Sequence, residues 1–350
     1  MTIARPCYAN ILDLQAAKDV RTTARRTRAL ERVLEEASAN AEGLLSIVNF
    51  YPLAETRRFD WPNWQCAPSW RFWLDENPLI SLTSATSGGQ ALNVATEVIL
   101  HPHDGPPYDR VEIDTSSSAA FSAGDTWQDS LVLTGVWGWS DDTSAVCTLA
   151  EDLDISETGV DISPCAELAA GDLVTVGTEK MLVTGASLVD TTATADALAA
   201  SKGATAVTVS SGALFVPDDQ ITIDAERMSV LDIAGNVLSV ERAVDGSTLA
   251  AHGAAAKVYA PRTLTVVRGA VGTTAATHAT SAPVLRQTYP PLLKALVLAE
   301  AMDRLEQEAS GYARIVGVGD SARPASGRAL AQLRETALRD LGRQARTEAI

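Results

Sequence analysis

The feature that most constrains the fold is a sequence unit that occurs twice, because its two halves recur at different offsets. The opening half, GDLVTVGTEKMLV from Gly171, recurs 47 residues later as DDQITIDAERMSV from Asp218. The closing half, LSVERAVDGSTLAAHGAAAKV from Leu238, recurs only 26 residues later as LTVVRGAVGTTAATHATSAPV from Leu264. A tandem repeat keeps one offset. We therefore infer that the second unit is inserted inside the first.

The flanking sequence predicts an α+β fold: a helical body, with one N-terminal and two C-terminal helices, an antiparallel Trp-rich β region and the inserted, nested all-β module. Apolar residues recur at three- and four-residue steps from Thr23 to Val48, as in an amphipathic helix. The chain returns to helix at Pro290 and Pro291, and a last helix starts at Ser326. Short runs rich in aromatic and β-branched residues predict strands between them. All seven tryptophans fall there, and we expect one compact β region to share them.

These patterns divide the chain into predicted segments. They are 1–49, a helical segment; 50–140, the Trp-rich β region; 141–172, an acidic boundary and the start of the β module; 160–286, the β module with its second copy nested at about 190–261; and 287–350, the C-terminal helices. Period-two patterns within the module predict strands at Leu173–Val176, Ala206–Ser210, Gln220–Ile223, Val237–Glu241 and Thr263–Val267.

Composition limits the function. The net charge of -16 disfavours a general binder of nucleic acid or anionic membranes, although DNA can still slide past such a surface. The cysteines Cys7, Cys66, Cys147 and Cys165 are too scattered for a zinc motif or a disulfide framework, which favours reduced thiols in a cytosol. We find no signal peptide pattern, and the most apolar stretch, Leu292–Ala301, is too short to span a bilayer.

The candidate sites for chemistry are weak. His101 and His103, next to Asp104, are the only close metal-ligand types, but the segment also reads as a turn without further ligands. The acidic stretch 151–161 lacks EF-hand spacing, so a solvated linker is favoured over a calcium site. His252 and His278 occupy equivalent repeat positions, which favours a repeated turn contact over catalysis. We predict no enzymatic activity and no catalytic, cofactor or metal site.

The last helix is basic in an acidic protein, and we predict that it docks on a partner. It has an apolar stripe and an arginine-rich face, and the Gly-rich loop 317–327 would let it reach another subunit. The candidate docking residues are Arg328, Arg334, Arg339, Arg343, Arg346, Leu330, Leu333 and Leu341.

Several segments in a fixed order resemble the long form of the tailed-bacteriophage head-to-tail connector (adaptor, or head completion) proteins. They are FYPLAETRRFDWP from Phe50, FWLDENPLISLTS, HDGPPYDRVEIDTSS and DSLVLTGVWGW, with a helix before them and the β module and helices after them. The resemblance implies a homo-oligomeric ring, usually twelvefold, in the virion neck, assembled in the host bacterial cytoplasm. Its implied partners are the portal protein, reached through C-terminal helices, and a stopper, tail-completion or tail-tube protein, with double-stranded DNA passing through without sequence-specific binding and no membrane contact. The nested unit is an addition to the family pattern.

Two other classes of function stay open. A tail, baseplate or glycan-binding virion protein would expose the Trp-rich sheet or the nested unit to sugars. An enzyme would need a pocket with perturbed acids or histidines, with His101, His103 and Asp104 as first suspects. For the connector we expect the helices to form the ring body and the β modules to project from it.

Overall fold

The computed structural model describes residues 3–17, 24–62, 68–309, 315–316, 323–324 and 328–342. Within these ranges the helices come from the two ends of the chain and the main sheets from its middle, which confirms the predicted α+β fold. The helices are α1 (Ile11–Ala17), α2 (Ala24–Leu45), α3 (Pro291–Ala309) and α4 (Arg328–Asp340).

One hydrophobic core joins these helices into a body. Leu14 of α1, Leu34 of α2, Leu296 of α3 and Ala337 of α4 are each at most 1% exposed and pack in the same cluster. The period of apolar residues predicted α2 and α3, whereas α1 has only seven residues, too few turns to show a period. Val48 belongs to the predicted helical stripe, but α2 ends at Leu45 and Val48 is 45% exposed.

The segment after α2 forms two antiparallel sheets around a shared aromatic core. Its strands are β1 (Leu53–Phe59), β2 (Arg71–Trp73), β3 (Leu79–Ser87), β4 (Gln90–Leu92), β5 (Val98–His101), β6 (Arg110–Ile113) and β7 (Leu131–Trp137). The larger sheet has the order β1-β7-β3-β4 and the smaller one β2-β6-β5. Side chains alternate along the strands, so that Phe72, Val111 and Leu133 point into the common core.

The tryptophans do not share one core, which corrects that prediction. Trp61 and Trp137 are buried in the β core, but Trp139 packs on Phe50 of the helical core, with ring centroids 5.4 Å apart. Trp70 and Trp127 are 43% and 49% exposed. Trp64 lies outside the described residues. Sequence pattern locates aromatic residues along the chain but not the core that each one enters.

The β module is one antiparallel sheet of ten strands. The strands are β8 (Thr143–Thr148), β9 (Gly159–Asp161), β10 (Leu173–Val176), β11 (Glu179–Ala195), β12 (Ala206–Thr208), β13 (Gln220–Ile223), β14 (Glu226–Ala234), β15 (Val237–Glu241), β16 (Ala256–Val267) and β17 (Pro283–Gln287). They follow the order β12-β15-β14-β13-β16-β11-β10-β17-β8, and β9 also pairs with β16. Two further strands, β18 (Ile315–Val316) and β19 (Arg323–Pro324), pair with each other.

The long strands β11 and β16 run through both copies of the repeated unit. They pair from Leu182 with Val267 to Ala195 with Ala256. One half of each strand belongs to the outer unit, whose core contains Met181, and the other half to the inner unit, whose core contains Met228. Both methionines are fully buried. The sheet is therefore continuous, while each unit has its own hydrophobic core.

The acidic segment is part of this module. Leu149, Leu153, Val160 and Ile162 lie among the charged residues and are at most 4% exposed. The Leu153 N–H donates to the His278 carbonyl at 2.8 Å. The solvated linker expected at 151–161 is thus wrong, because sparse apolar residues anchor the loop while its carboxylates remain outside.

A polar joint fixes the helical body to the outer unit. Asp13 of α1 accepts hydrogen bonds from Lys294 Nζ of α3 at 2.7 Å and from Arg286 Nη2 of β17 at 3.2 Å. Arg286 Nε also donates to Asp172 Oδ1 at 2.9 Å, and Asn10 Nδ2 donates to Asp172 Oδ2 at 2.8 Å. Charge-assisted bonds across two helices, a strand and a loop resist rotation between the two parts.

Candidate functional site

The predicted docking leucines lie in this chain's own core. Leu330 is 9% exposed, and Leu333 and Leu341 pack against the helical cluster. Helix α4 begins at Arg328, whose side chain lies outside the described residues, as do Arg343 and Arg346. The predicted apolar stripe is present in α4, and it contacts α2 and α3 of the same chain.

The described arginines of α4 are paired within the chain. Arg334 donates to Glu300 of α3 through two bonds, Nε to Oε1 at 2.5 Å and Nη2 to Oε2 at 2.7 Å. Arg339 is 69% exposed at its side chain and pairs with Asp340 beside it. What α4 offers a partner is therefore its outer face, with Arg339 and the 40% exposed Leu338. Docking through this face stays a prediction.

Each repeated unit contains a buried cluster of glutamate, arginine and histidine. In the outer unit Glu179 binds Arg268, with Nε to Oε1 at 2.7 Å and Nη2 to Oε2 at 2.9 Å. It also accepts the Gly269 and Ala276 N–H groups, each at 3.0 Å, and lies 2.8 Å from His278 Nε2. The Glu179 side chain is fully buried.

The inner unit repeats these contacts with different residues. Glu226 binds Arg242 through two bonds of 2.7 Å. It accepts the Ala243 N–H at 3.1 Å and the Ala250 N–H at 2.9 Å, and lies 3.0 Å from His252 Nε2. The repeated histidines are thus parts of a structural cluster, as the turn-contact interpretation favours.

Both clusters are ion pairs. Burial alone raises the pKa of Glu179, but hydrogen bonds from Arg268, the Ala276 N–H and His278 outweigh burial and hold its pKa at about 2. The pKa of Glu226 is held at about 2 by the same balance, with Arg242, the Ala250 N–H and His252. A buried carboxylate with so many donors stays ionised and fixes the turns around it.

The inner cluster has one side-chain contact that the outer cluster lacks. The ring Nδ1 of His252 lies 2.7 Å from Asp224, whereas the corresponding position beside His278 is Gly177. Sequence reasoning missed Glu179 and Glu226, although both stand at the same place in the aligned strings. The sequence does contain a signal for these clusters, because a glutamate recurs in both copies together with the repeated arginine and histidine. Hydropathy patterns do not register such polar repeats.

The histidines of the metal hypothesis lie at the smaller sheet of the Trp-rich region. The rings of His101 and His103 are 4.2 Å apart, and His101 Nε2 is 3.5 Å from Glu112 Oε2. Burial lowers the pKa of His101, and the nearby Glu112 opposes this shift. Among the described residues, no group of three or more His, Cys, Asp or Glu is arranged to hold a metal ion.

Comparisons with known proteins give no family. The chain matches no protein-family model, no curated protein and no solved structure at a significant level. In the part of the chain that the structure describes, no helix is long and apolar enough to cross a membrane.

Proposed function

We propose that the chain is a structural virion protein, a head-to-tail connector that forms a ring in the phage neck. The ring would hold about twelve copies, as in the family that the sequence resembles. It would bind the portal protein on one side and a stopper, tail-completion or tail-tube protein on the other. Double-stranded DNA would pass through it during genome packaging and ejection. The subunit would be assembled in the host bacterial cytoplasm and reside at the head-tail interface.

The observation that carries the proposal is the rigid attachment of the β module to a helical body built from both chain ends. A subunit stacked between two partners needs separate faces at a fixed angle. The helical core brings α1 to α4 together. The joint around Arg286, with Asp13 and Asp172, then holds the outer unit against that core. This arrangement suits a subunit that binds one neighbour through its helical body and another through its β module, and holds the two at a fixed distance.

Charge supports the same function. The chain carries 44 acidic and 28 basic residues. A ring of such subunits has a strongly negative surface, which repels phosphates and lets DNA move without binding.

The test is reconstruction of purified tailed particles that contain the chain. We expect a ring of density beneath the portal into which the helical body and the ten-stranded sheet fit. Particles from a host that expresses a copy in which residues 190–259 are replaced by Asn-Gly, with Arg262→Gln, serve as the control for identity, since density for the inner unit should vanish. Density located in fibres or at the baseplate contradicts the connector proposal.

One observation favours the second candidate, a glycan-binding virion protein. An open cleft of 690 Å³ is lined by Asp60, Pro62, Ala123, Gly124, Asp125, Thr126 and Trp127. Trp127 is 49% exposed. An exposed indole beside carboxylates can stack on a sugar ring and accept its hydroxyl groups. Quenching of fluorescence by oligosaccharides should disappear in Trp127→Ala and persist in Trp70→Ala if this candidate holds.

A further inference from the structure

The smaller sheet of the Trp-rich region presents a basic, aromatic outer face, which we call the Arg-Trp face. It consists of Arg71 and Trp73 of β2, Arg110 and Glu112 of β6, and His101 of β5. Cross-strand pairs align Trp73 with Arg110 and His101 with Arg110. The alternate residues, Phe72, Val111 and Ile113, are buried beneath it. The face is thus the outward side of a rigid sheet.

The Arg-Trp face keeps a net positive charge. Arg71 and Arg110 both donate through Nε to the one carboxylate Glu112, at 2.7 and 2.9 Å. Because two guanidinium groups share one carboxylate, the face keeps one positive charge even when His101 is neutral. Their Cζ atoms lie 5.8 and 4.8 Å from the centre of the Trp73 ring. Arginines stacked on an indole are well placed to bind further carboxylates.

The matching surface is the loop between β8 and β9, residues 151–157, which we call the acidic tip. Glu151, Asp152 and Asp154 are exposed there. Ile155 is 55% exposed among them. An exposed aliphatic side chain rimmed by carboxylates complements the half-buried indole of Trp73, which is rimmed by guanidinium groups.

The acidic tip is rigid because the outer buried cluster holds it. Arg268 Nη1 donates to the carbonyls of Asp154 at 2.6 Å and Glu157 at 2.8 Å. Asp154 Oδ1 also accepts the Ser156 N–H at 2.7 Å. A loop that is already ordered loses little conformational entropy on docking.

We infer that the acidic tip of one copy binds the Arg-Trp face of a second copy of this chain. The inference rests on the proposed function, because a ring requires a heterologous contact in which two different patches meet. Copies with a charge of -16 repel one another, so association needs a local region of opposite sign. The Arg-Trp face supplies that region and the tip supplies its complement.

The chain contains a matched control. Arg242 holds the equivalent loop of the inner unit, donating to the carbonyls of Ala199 at 3.1 Å and Ala204 at 3.2 Å. This loop, 199–204, has the sequence AASKGA and carries Lys202 but no carboxylate. A change there alters a loop of the same construction without touching the proposed contact.

The experiment measures self-association of the full chain by sedimentation velocity. The tip variant is Glu151→Lys with Ile155→Ser, the face variant is Arg71→Gln with Arg110→Gln, and the control is Lys202→Glu. We expect wild type and control to form concentration-dependent oligomers that dissociate in 1 M salt, where charges are screened within about 3 Å. Each of the other variants should associate at least about tenfold more weakly.

Mixing the tip and face variants gives the sharpest result. One intact face then meets one intact tip, so dimers should form and nothing larger. Oligomers that persist in both variants overturn the inference, as does a wild type that stays monomeric at every concentration. Circular dichroism and melting temperature establish that each variant is folded. If particles contain the ring but the variants associate as the wild type does, only this interface is rejected. If the expected dimers form but the chain is absent from the neck, only the connector proposal is rejected.

Discussion

Replacing Glu226 by glutamine should destabilise the inner unit by about 3 kcal/mol. The carboxylate accepts five hydrogen bonds or ion-pair contacts, two of them from Arg242. Its pKa falls from 4.5 to about 2 in the folded chain. At about 1.4 kcal/mol per pKa unit, this difference corresponds to roughly 3 kcal/mol. Breaking a buried ion pair typically costs about 3–5 kcal/mol, which agrees with the value obtained from the pKa difference.

Chemical denaturation combined with hydrogen exchange would measure both the size and the place of the effect. In E226Q we expect faster exchange in β13 to β15 and little change in α2 and α3, because the inner unit has its own core. The exposed Glu241→Gln on β15 is the control and should change stability by less than about 0.5 kcal/mol. A loss below about 1 kcal/mol in E226Q, or exchange that rises first in the helices, would refute the reasoning.

The pH dependence provides a second arm of this test. Folding lowers the pKa of Glu179 and Glu226 from 4.5 to about 2. Their contribution is therefore complete above about pH 4.5 and is lost as the pH falls through about 2. Stability of the wild type should decline across this window, and the decline should be shallower in E226Q.

Three further predictions concern the outer unit, the nested unit and α4. Gly177→Asp would place beside His278 the carboxylate that Asp224 places beside His252, and it should stabilise the outer unit by about 1 kcal/mol in thermal unfolding. The backbone is suitable, because φ is 53° at Asp224 and 60° at Gly177. A loss of stability would argue that the two positions are not equivalent. Replacing 190–259 by Asn-Gly, with Arg262→Gln because Asp219 is removed, should leave a folded protein by circular dichroism, since Val189 and Ala260 are cross-strand partners; global unfolding contradicts this. Arg339→Glu should weaken portal binding by about tenfold at unchanged melting temperature, and unaltered binding removes this arginine from the interface.

The strands of the repeated units were the most predictable part of the fold. The predicted strands at Leu173–Val176, Gln220–Ile223 and Val237–Glu241 coincide with β10, β13 and β15. The unit occurs twice, so each pattern could be recognised in two independent sequences. Their alternating apolar residues face one core, which is the situation that a period of two describes.

Other parts depend on contacts that no local pattern contains. The stripe of α4 is visible in the sequence, but whether Leu333 enters its own core or a partner's depends on where α2 and α3 lie. The short helix α1 owes its position to packing and to the Asp13 joint. The acidic tip looks like a linker by composition because its anchors, such as Leu153, are few.

The shared strands β11 and β16 have a consequence for how this architecture can grow. Applying the 47-residue offset to Leu188, where the outer unit passes into the inner one, leads to Gly235. There the inner unit closes β14 and β15 with a two-residue turn, Gly235-Asn236, between the paired Ala234 and Val237. The point of insertion in one copy is thus a plain hairpin turn in the other. A third unit, or a foreign domain whose ends lie close together, can be added at that turn. It would extend the molecule beyond the turn between β14 and β15 and leave the helical body unchanged.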